Sequence, residues 1–380
     1  MIDTRTKTYE YERQPGRETE RKFLPLFPEE LVAFRDQAVP VEQYYLSHYG
    51  ERFSLRLRET FTDGGPRYSA AFKNDGELTS EGLDRIEEET EIGAATYALL
   101  KTPDVPVLRK LRASPSDHIA IDFFEDGYVQ LESEDQAAWE RFASEYGLVG
   151  KVMEISGDDQ AKNEWRAHAL YVKTHGNETL RPAPELELDG TMRQIMEASR
   201  TGQTVRVRIG GRSGSGKSTL IRELTARLHE HGIAPTVLST DDYNIGRNAL
   251  TARFGTDFNW DMREAYDTRK LADDLERLGR GEPVARQAYD FGSGEPSTDG
   301  YVMPSGVYLI EGLYALSPDL ASPDVIDLEI PTSFAECAGR RLYRDHYSGE
   351  RDVSATFPTA ADSLRYMLEI AEPAYRAQRS

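Results

Sequence analysis

The chain has 380 residues, of which 38% are hydrophobic and 10% aromatic, and its formal net charge at pH 7 is −20. This composition excludes a largely disordered protein, and the acidic balance disfavours nucleic acid as a partner, since such binding needs a basic face. No apolar run approaches the roughly 18 residues of a membrane span, so we expect no membrane partner. Cys337 is the single cysteine, which excludes an internal disulfide. With no secretory signal visible, we expect a cytoplasmic protein of two or three domains.

The first half is rich in short segments of alternating polarity. These segments lie at residues 53–58, 68–73, 119–124 and 128–132. Helical patterns interrupt them at residues 28–37, 134–146 and 164–174. Short strands in this rhythm predict an antiparallel sheet or barrel.

Charged residues recur at every second position at three places in this half. These are Glu18, Glu20 and Lys22, then Arg56 and Arg58, and then Glu87, Glu89 and Glu91. Side chains two residues apart share one face of a strand, so each strand directs its charges to one side. An ordinary surface strand is one explanation. The other is a barrel whose acidic and basic walls hold a metal ion and a polyanion.

Several motifs follow one another in this half. They are ETERKF at 18–23, QYYL at 43–46, RLR at 56–58, FK at 72–73, Arg85 with the glutamates after it, LESE at 131–134 and EISGD at 154–158 with Asn163. Over about residues 17–170 they resemble the CYTH, or triphosphate tunnel metalloenzyme, superfamily. The resemblance implies an α+β fold built on an eight-stranded antiparallel tunnel barrel. In that tunnel, glutamates bind Mg²⁺ or Mn²⁺ and bases hold a triphosphate compound.

The resemblance also assigns residues. The implied metal ligands are Glu18, Glu20, Glu132 and Glu154, with Glu89 and Glu91 as further candidates. The implied triphosphate-binding residues are Lys22, Arg56, Arg58, Lys73 and Arg85. Members of the superfamily hydrolyse triphosphates or cyclise nucleotides, so the substrate does not carry over to this chain.

A proline-rich seam at residues 181–185 interrupts every periodic pattern. It predicts a tunnel domain at 10–175, a linker with a connecting helix at 176–203, and a second domain at 204–380. Asp189 is a candidate cap for a short helix that runs to Ala198. After the seam, strands and helices alternate, as in a parallel α/β sheet.

Residues 211–219 fit the P-loop pattern G-x-x-x-x-G-K-[ST]. A strand at 205–209 precedes them, and an apolar helical pattern follows until Gly232. A chance glycine-rich turn would not have this context. The residues expected to bind ATP phosphates are Gly211, Ser213, Gly214, Ser215, Gly216, Lys217, Ser218 and Thr219. Lys217 would reach the β- and γ-phosphates, and the Ser218 hydroxyl would ligate Mg²⁺.

Candidates for the rest of a phosphoryl-transfer site follow along the chain. Asp241 and Asp242 come after a predicted strand at 236–239, where a carboxylate can accept a hydroxyl proton or cap a turn. Glu311 ends a buried-type strand at 306–310 and is a candidate magnesium ligand. The basic cluster Arg340, Arg341, Arg344 and Arg351 would close over phosphates as a lid. A solvated helix face paired with Asp345 and Glu350 is its alternative.

Motifs in this half also occur in a recognisable order. They are IGGRSGSGKST at 209–219, LSTDDY at 238–243, FNWD at 258–261, AYD at 265–267, GEPV at 281–284, YDF at 289–291 and IEGL at 310–313. Over about residues 204–375 they resemble the uridine kinases, which are P-loop kinases related to phosphoribulokinases. The resemblance implies a three-layer α/β P-loop kinase domain with a parallel sheet. It makes Asp241 the general base, with Lys217 and Arg344 as further catalytic residues. Asp261, Tyr289, Arg341 and Arg351 would bind the acceptor.

Two departures bear on the acceptor. The family carries a histidine after YDF, where this chain has GSGE at 292–295. Its lid usually reads R-D-x-x-x-R-G-R, whereas Arg344 and Asp345 are followed here by HYSGER, with one arginine fewer. Phosphoryl transfer tolerates these changes better than pyrimidine recognition does.

Three functions remain open on the sequence. The first is an ATP-dependent (or GTP-dependent) kinase of a small acceptor, with a nucleoside expected, fused to a metal-dependent triphosphate-binding or -hydrolysing domain. The second has a non-nucleoside acceptor and a tunnel that only senses a triphosphate and regulates the kinase. The third is a nucleotide-driven switch acting on a protein partner, against which the acceptor motifs count. The oligomeric state, including a homo-oligomer, stays open.

Overall fold

A computed structural model of the chain describes residues 16–102, 105–176, 186, 188–256, 258–322, 325–354 and 356–377. The predicted proline-rich seam at 181–185 lies outside the described residues. The chain forms two compact units. The first contains residues 16–45, 56–89 and 105–176, and the second contains 46–55, 90–102 and the described residues from 186 onward.

The strands, in chain order, are β1 (Arg17–Pro25), β2 (Val39–Tyr45), β3 (Phe53–Thr62), β4 (Gly65–Asn74), β5 (Glu77–Thr79), β6 (Gly82–Glu91), β7 (Val107–Ser116), β8 (Ile119–Phe124), β9 (Val129–Ser133), β10 (Val152–Glu154), β11 (Val205–Gly210), β12 (Thr236–Ser239), β13 (Val284–Asp290), β14 (Glu295–Val302), β15 (Val307–Glu311) and β16 (Val325–Glu329). The α-helices are α1 (Ala94–Leu100), α2 (Gln136–Glu145), α3 (Asn163–His175), α4 (Leu188–Arg200), α5 (Lys217–Glu230), α6 (Arg247–Phe254), α7 (Thr268–Gly279), α8 (Phe334–Leu342), α9 (Ala360–Tyr366) and α10 (Glu372–Ala377). Pro28–Gln37 forms a 3₁₀ helix, and Tyr343–Tyr347 and Met367–Ala371 form π-helical turns.

The predicted antiparallel barrel is confirmed. Its strands follow the order β1-β9-β8-β7-β2-β3-β4-β6, and β6 pairs with β1 to close the ring of eight. Strands β5 and β10 extend the sheet beside β6 and β1. A closed ring leaves no free strand edge and gives every barrel strand one inward and one outward face.

Strand β1 shows how the two faces of the barrel differ. Glu18, Glu20 and Lys22 share one face, and Phe23 lies on the other. The Phe23 ring stacks on Trp139 of α2, with 3.8 Å between ring centroids, within an apolar cluster that includes Phe142. Because apolar side chains cover the outside, Glu18, Glu20 and Lys22 lie inside the barrel.

The second unit is built on a parallel sheet in the order β12-β15-β11-β16. One apolar layer packs against it from α4 and α5, around Ile195 and Leu224. A second layer packs against it from α7, around Leu271 and Leu275. The predicted three-layer α/β architecture is therefore confirmed.

Some details of this unit differ from expectation. Helix α4 begins at Leu188, so Asp189 lies in its first turn and pairs with Arg227 at 3.0 Å instead of capping the helix. The antiparallel hairpin of β13 and β14 did not follow from the sequence, because its polar strands lack a buried alternating face. Among the described residues, no helix has the length and apolar character needed to cross a membrane.

Candidate functional sites

The P-loop connects the end of β11 to the start of α5. The eight residues expected to bind phosphate lie between Gly211 and the first turn of α5, so the unpaired N–H groups of the helix point into the loop. The Lys217 ammonium donates to the carbonyl oxygens of Gly211 (3.0 Å) and Arg212 (2.8 Å). Burial lowers the pKa of Lys217, while Glu311 and Asp241 act in the opposite direction. The loop thus holds a half-buried cation whose hydrogen-bond partners here are neutral carbonyls.

Two acidic residues meet at the carboxyl ends of neighbouring strands. Ser239 of β12 pairs in register with Glu311 of β15, and its hydroxyl donates to the Glu311 carboxylate at 2.8 Å. Asp241 follows two residues after Ser239. Burial raises the pKa of Glu311, and the negative charge of Asp241 raises it further. The exposed Ser218 hydroxyl and the Glu311 carboxylate are hard oxygen donors, which suit Mg²⁺.

A cavity that is open to solvent lies over this sheet edge. The structure brings the predicted catalytic and acceptor residues together in its lining: Lys217, Asp241, Asp261, Tyr289, Arg341, Arg344 and Arg351. Burial raises the pKa of Tyr289 to about 12, so its hydroxyl stays protonated at neutral pH. These residues come from five separate segments of the chain, and the cavity is where all five meet.

Asp261 is held rigidly at the cavity wall. Its carboxylate accepts from Arg341 at 2.8 Å, and its backbone N–H donates to the Tyr366 hydroxyl oxygen at 3.1 Å. The Tyr314 hydroxyl donates to its carbonyl oxygen at 2.6 Å. A carboxylate held by Arg341, on a backbone held by two tyrosine hydroxyls, can accept hydrogen bonds from hydroxyls of a polar ligand with little loss of side-chain entropy.

Two arginines of the lid differ in their pairing. Arg344, in a π-helical turn, donates to Asp345 at 2.6 Å. Arg351 lies 3.9 Å above the centroid of the Phe291 ring and forms no ion pair with any described residue. Burial, together with the like charge of Arg344, lowers the pKa of Arg351. An anion in the cavity would relieve that repulsion.

The barrel interior is a network of ion pairs. Arg85 bonds to both Glu18 (3.1 Å) and Glu20 (2.6 Å), and Lys22 lies 3.2 Å from Glu132 and 3.7 Å from Glu20. Further pairs join Lys73 to Glu18 and Glu87, Arg56 to Glu87, and Arg58 to Glu89. All five predicted triphosphate-binding bases therefore lie inside, together with three of the four predicted metal ligands.

The fourth predicted metal ligand, Glu154, is not brought to this network. Its carboxylate pairs with Arg21, on the opposite face of β1 from Lys22, and accepts from Ser156 at 2.9 Å. Across the described residues, no three potential ligands are close enough to form a ready-made metal cluster. Glu18, Glu20 and Glu132 offer oxygen atoms that suit Mg²⁺ or Mn²⁺, but each would have to exchange a base for the ion.

The network also contains residues that the sequence patterns missed. Lys110 lies fully buried 2.5 Å from Asp122, and Arg112 bonds to both Asp122 and Glu132. Burial, reinforced by Arg112, lowers the pKa of Lys110 to about 7. Lys110 and Arg112 share the alternation of Arg56 and Arg58, but the adjacent Arg109 conceals it in the sequence.

Comparison with known proteins identifies the family to which residues of the second unit belong. Residues 207–359 match the phosphoribulokinase / uridine kinase family. A uridine kinase of Aliivibrio salmonicida is 32% identical over 167 residues, which are 42% of this chain and 77% of that enzyme. One from Staphylococcus epidermidis is 31% identical over 170 residues, 44% of this chain and 81% of the relative. The chain belongs to the phosphoribulokinase / uridine kinase family.

The first half has neighbours among solved structures. The inorganic triphosphatase NE1496 is 24% identical, covers 40% of this chain and 93% of its own, and superposes with a TM-score of 0.26. The barrel itself is established by its closed strand order.

Membership of the phosphoribulokinase / uridine kinase family makes the second unit a kinase domain. Its cavity contains residues that the sequence patterns did not single out, including Asn244, Thr356 and Phe357. None of the three has a local signature, because each reaches the cavity only through the packing of the unit.

Proposed function

We propose that the chain transfers the γ-phosphoryl group of ATP to a hydroxyl of a nucleoside. The observation that carries this proposal is the cavity in which Lys217 and Asp241 lie with Asp261 and Arg341. Asp241 would take the proton of the acceptor hydroxyl as its oxygen attacks the γ-phosphorus and ADP leaves. Lys217, Arg344 and Arg351 would neutralise the charge that develops on the phosphates. Mg²⁺, held through Ser218 and Glu311, would shield the β- and γ-oxygens.

The acceptor side supports a polyhydroxyl compound. Asp261 presents a fixed carboxylate, and Tyr289 presents a hydroxyl that stays protonated. The relatives named uridine kinase favour a nucleoside among such compounds. A non-nucleoside acceptor is the alternative, because residues 292–294 form a glycine-serine turn where the family carries its histidine. The side chain of Asp290 caps that turn.

The test is an acceptor screen with γ-labelled ATP. The full chain is incubated with uridine, cytidine, purine nucleosides and small sugars, and the labelled product is identified. Asp241→Asn should abolish transfer, whereas the matched variant Asp242→Asn should retain it, since Asp242 does not line the cavity. Labelling of a sugar alone would replace the nucleoside assignment. Transfer that survives Asp241→Asn would remove the assigned base.

For the barrel we propose a metal-dependent triphosphate site, with hydrolysis as its activity. Its support is the set of buried bases around Glu18, Glu20 and Glu132, which can pair with a polyanion once a cation occupies the carboxylates. Phosphate release from tripolyphosphate should require Mg²⁺ or Mn²⁺, survive Lys217→Ala and be lost in Arg56→Ala. Binding without release, accompanied by a changed kinase rate, would make the tunnel a regulatory sensor instead.

A further inference from the structure

A segment from the first half of the chain belongs to the kinase unit. Residues 46–55 fold with it, between β2 and the body of β3. Ser333, at the N-cap of α8, donates its hydroxyl to Glu51 at 2.8 Å. The Arg52 guanidinium lies 5.1 Å from the ring centroids of both Phe53 and Tyr343. The segment therefore contacts both ends of α8.

The middle of α8 meets this segment at a glycine. A Cβ built on Gly339 would lie 2.5 Å from the Cβ of Phe53 and would also overlap its ring. Phe53 is 1% exposed, so its ring has little room to move away. The backbone of Gly339 is ordinary helix, where alanine would normally be the better residue. Because position 339 has no side chain, the Phe53 ring can pack directly against the backbone of the helix.

The opposite face of α8 supports the P-loop. Cys337 is two residues, roughly 200° around the helix, from Gly339. A Cβ on Gly214 would overlap the Cys337 carbonyl oxygen and lie 3.3 Å from the Arg341 amide nitrogen. Gly214 has a φ of +82°, which also favours glycine. Arg340 and Thr332 both donate to the Ser215 carbonyl oxygen, at 3.5 and 2.9 Å.

Helix α8 is therefore clamped between the Phe53 ring and the phosphate loop, with close backbone contact on the loop side. We propose that Phe53 is a positioning residue for nucleotide binding. It fixes the distance of α8 from the P-loop, and so holds the Gly214 to Gly216 amides in the geometry that receives phosphate. Movement of α8 by a few tenths of an ångström would pass directly to the loop, because no side chain lies between Gly214 and Cys337 to absorb it.

The test measures affinity for the non-hydrolysable ATP analogue AMP-PNP with Mg²⁺, using the full chain and calorimetry well below the melting temperature. Gly339→Ala should weaken binding about tenfold, because the new methyl group forces α8 or the ring to shift. The double variant Phe53→Gly/Gly339→Ala should recover at least about half of that loss, because both the ring and the Cβ of residue 53, which would clash with the new methyl group, are gone. Gly306→Ala is the matched control: its Cβ would meet no atom within 4 Å, so binding should stay at the wild-type level.

A merely structural role for Phe53 would lower the melting temperature and leave the affinity of the folded protein unchanged. Wild-type affinity in Gly339→Ala, or a double variant no better than that single one, would overturn the proposal. Should Gly339→Ala fail to fold, affinity must still fall in the order wild type, Phe53→Leu, Phe53→Ala, and a flat series overturns it. The readout needs no acceptor, so the proposal stands or falls apart from the assigned nucleoside kinase activity.

Discussion

The two charged sites of this protein differ in how their basic residues are paired with acids. Inside the barrel, each inward base that the structure describes pairs with an acid, as Arg85 does with Glu18 and Glu20. In the kinase cavity, Arg341 and Arg344 also pair with acids, but Lys217 bonds to carbonyl oxygens, and Arg351 lies against an aromatic ring without an ion pair among the described residues. The cavity thus holds positive charge ready for an anion. The tunnel is neutralised at rest, and a ligand there must exchange with internal ion pairs.

The largest effect is expected from a change that disables the kinase cavity and leaves the tunnel intact. Lys217→Ala should reduce phosphoryl transfer by about 10³-fold, because it removes the loop cation expected to contact the β- and γ-phosphates. Phosphate release from tripolyphosphate by the barrel should be unchanged in the same preparation. Both rates can be followed with labelled ATP and a phosphate assay. A parallel fall in both activities would mean that the two sites are not separate.

The next effect concerns the stability of the tunnel network. Arg112→Gln should lower the free energy of unfolding by about 3 kcal/mol, because Asp122 and Glu132 would lose a shared partner in a buried site. Urea denaturation followed by circular dichroism measures this change. If the variant unfolds at the wild-type urea concentration, the tunnel charges are not held together as the geometry indicates.

A third effect should appear in the pH dependence of tunnel binding. The pKa of Lys110 is about 7, so the side chain is charged below that pH and neutral above it. Raising the pH through 7 removes one positive charge, and affinity for tripolyphosphate should fall about tenfold between about pH 6 and pH 8. In calorimetry, Lys110→Gln should bind weakly and show only the pH dependence of the ligand itself. Equal pH profiles for the two proteins would contradict the assignment.

The smallest effect on stability is expected from a variant of the cavity that matches Arg112→Gln in the tunnel. Arg351→Gln should change the free energy of unfolding by no more than about 0.5 kcal/mol, because no acid loses its partner. The same variant should weaken binding of AMP-PNP with Mg²⁺ severalfold, since that anion is the partner Arg351 lacks. Strong destabilisation in urea would show that Arg351 is paired after all.

Local patterns predicted much of the fold. The P-loop is read from a strand, a glycine loop and a helix that follow one another directly, and the structure has the same order at β11 and α5. The barrel followed from alternation on strands such as β8. The hairpin of β13 and β14 was missed, because its exposed strands have no apolar face to mark them.

Predicting the sites was harder because their residues meet over long distances in sequence. Asp261 and Arg341 are 80 residues apart, and only the family resemblance joined them before the structure did. Glu154 carried a motif that placed it among the metal ligands, yet strand pairing sets its carboxylate beside Arg21. No sequence pattern could relate Phe53 to Gly339, since their contact depends on the absence of a side chain at position 339.

The membership of residues 46–55 and 90–102 in the kinase unit affects how that unit can form. The Gly93 amide donates to the Glu369 carboxylate 276 residues further along the chain, and Arg365 donates to Thr90 across 275. Such distant partners slow folding, because a long stretch of chain must be closed before the contact forms. During synthesis on the ribosome, residues 46–55 and 90–102 emerge before the last kinase helices, so their contacts with those helices form only once the end of the chain has been made. A kinase fragment produced by cleavage in the predicted linker would lack both segments.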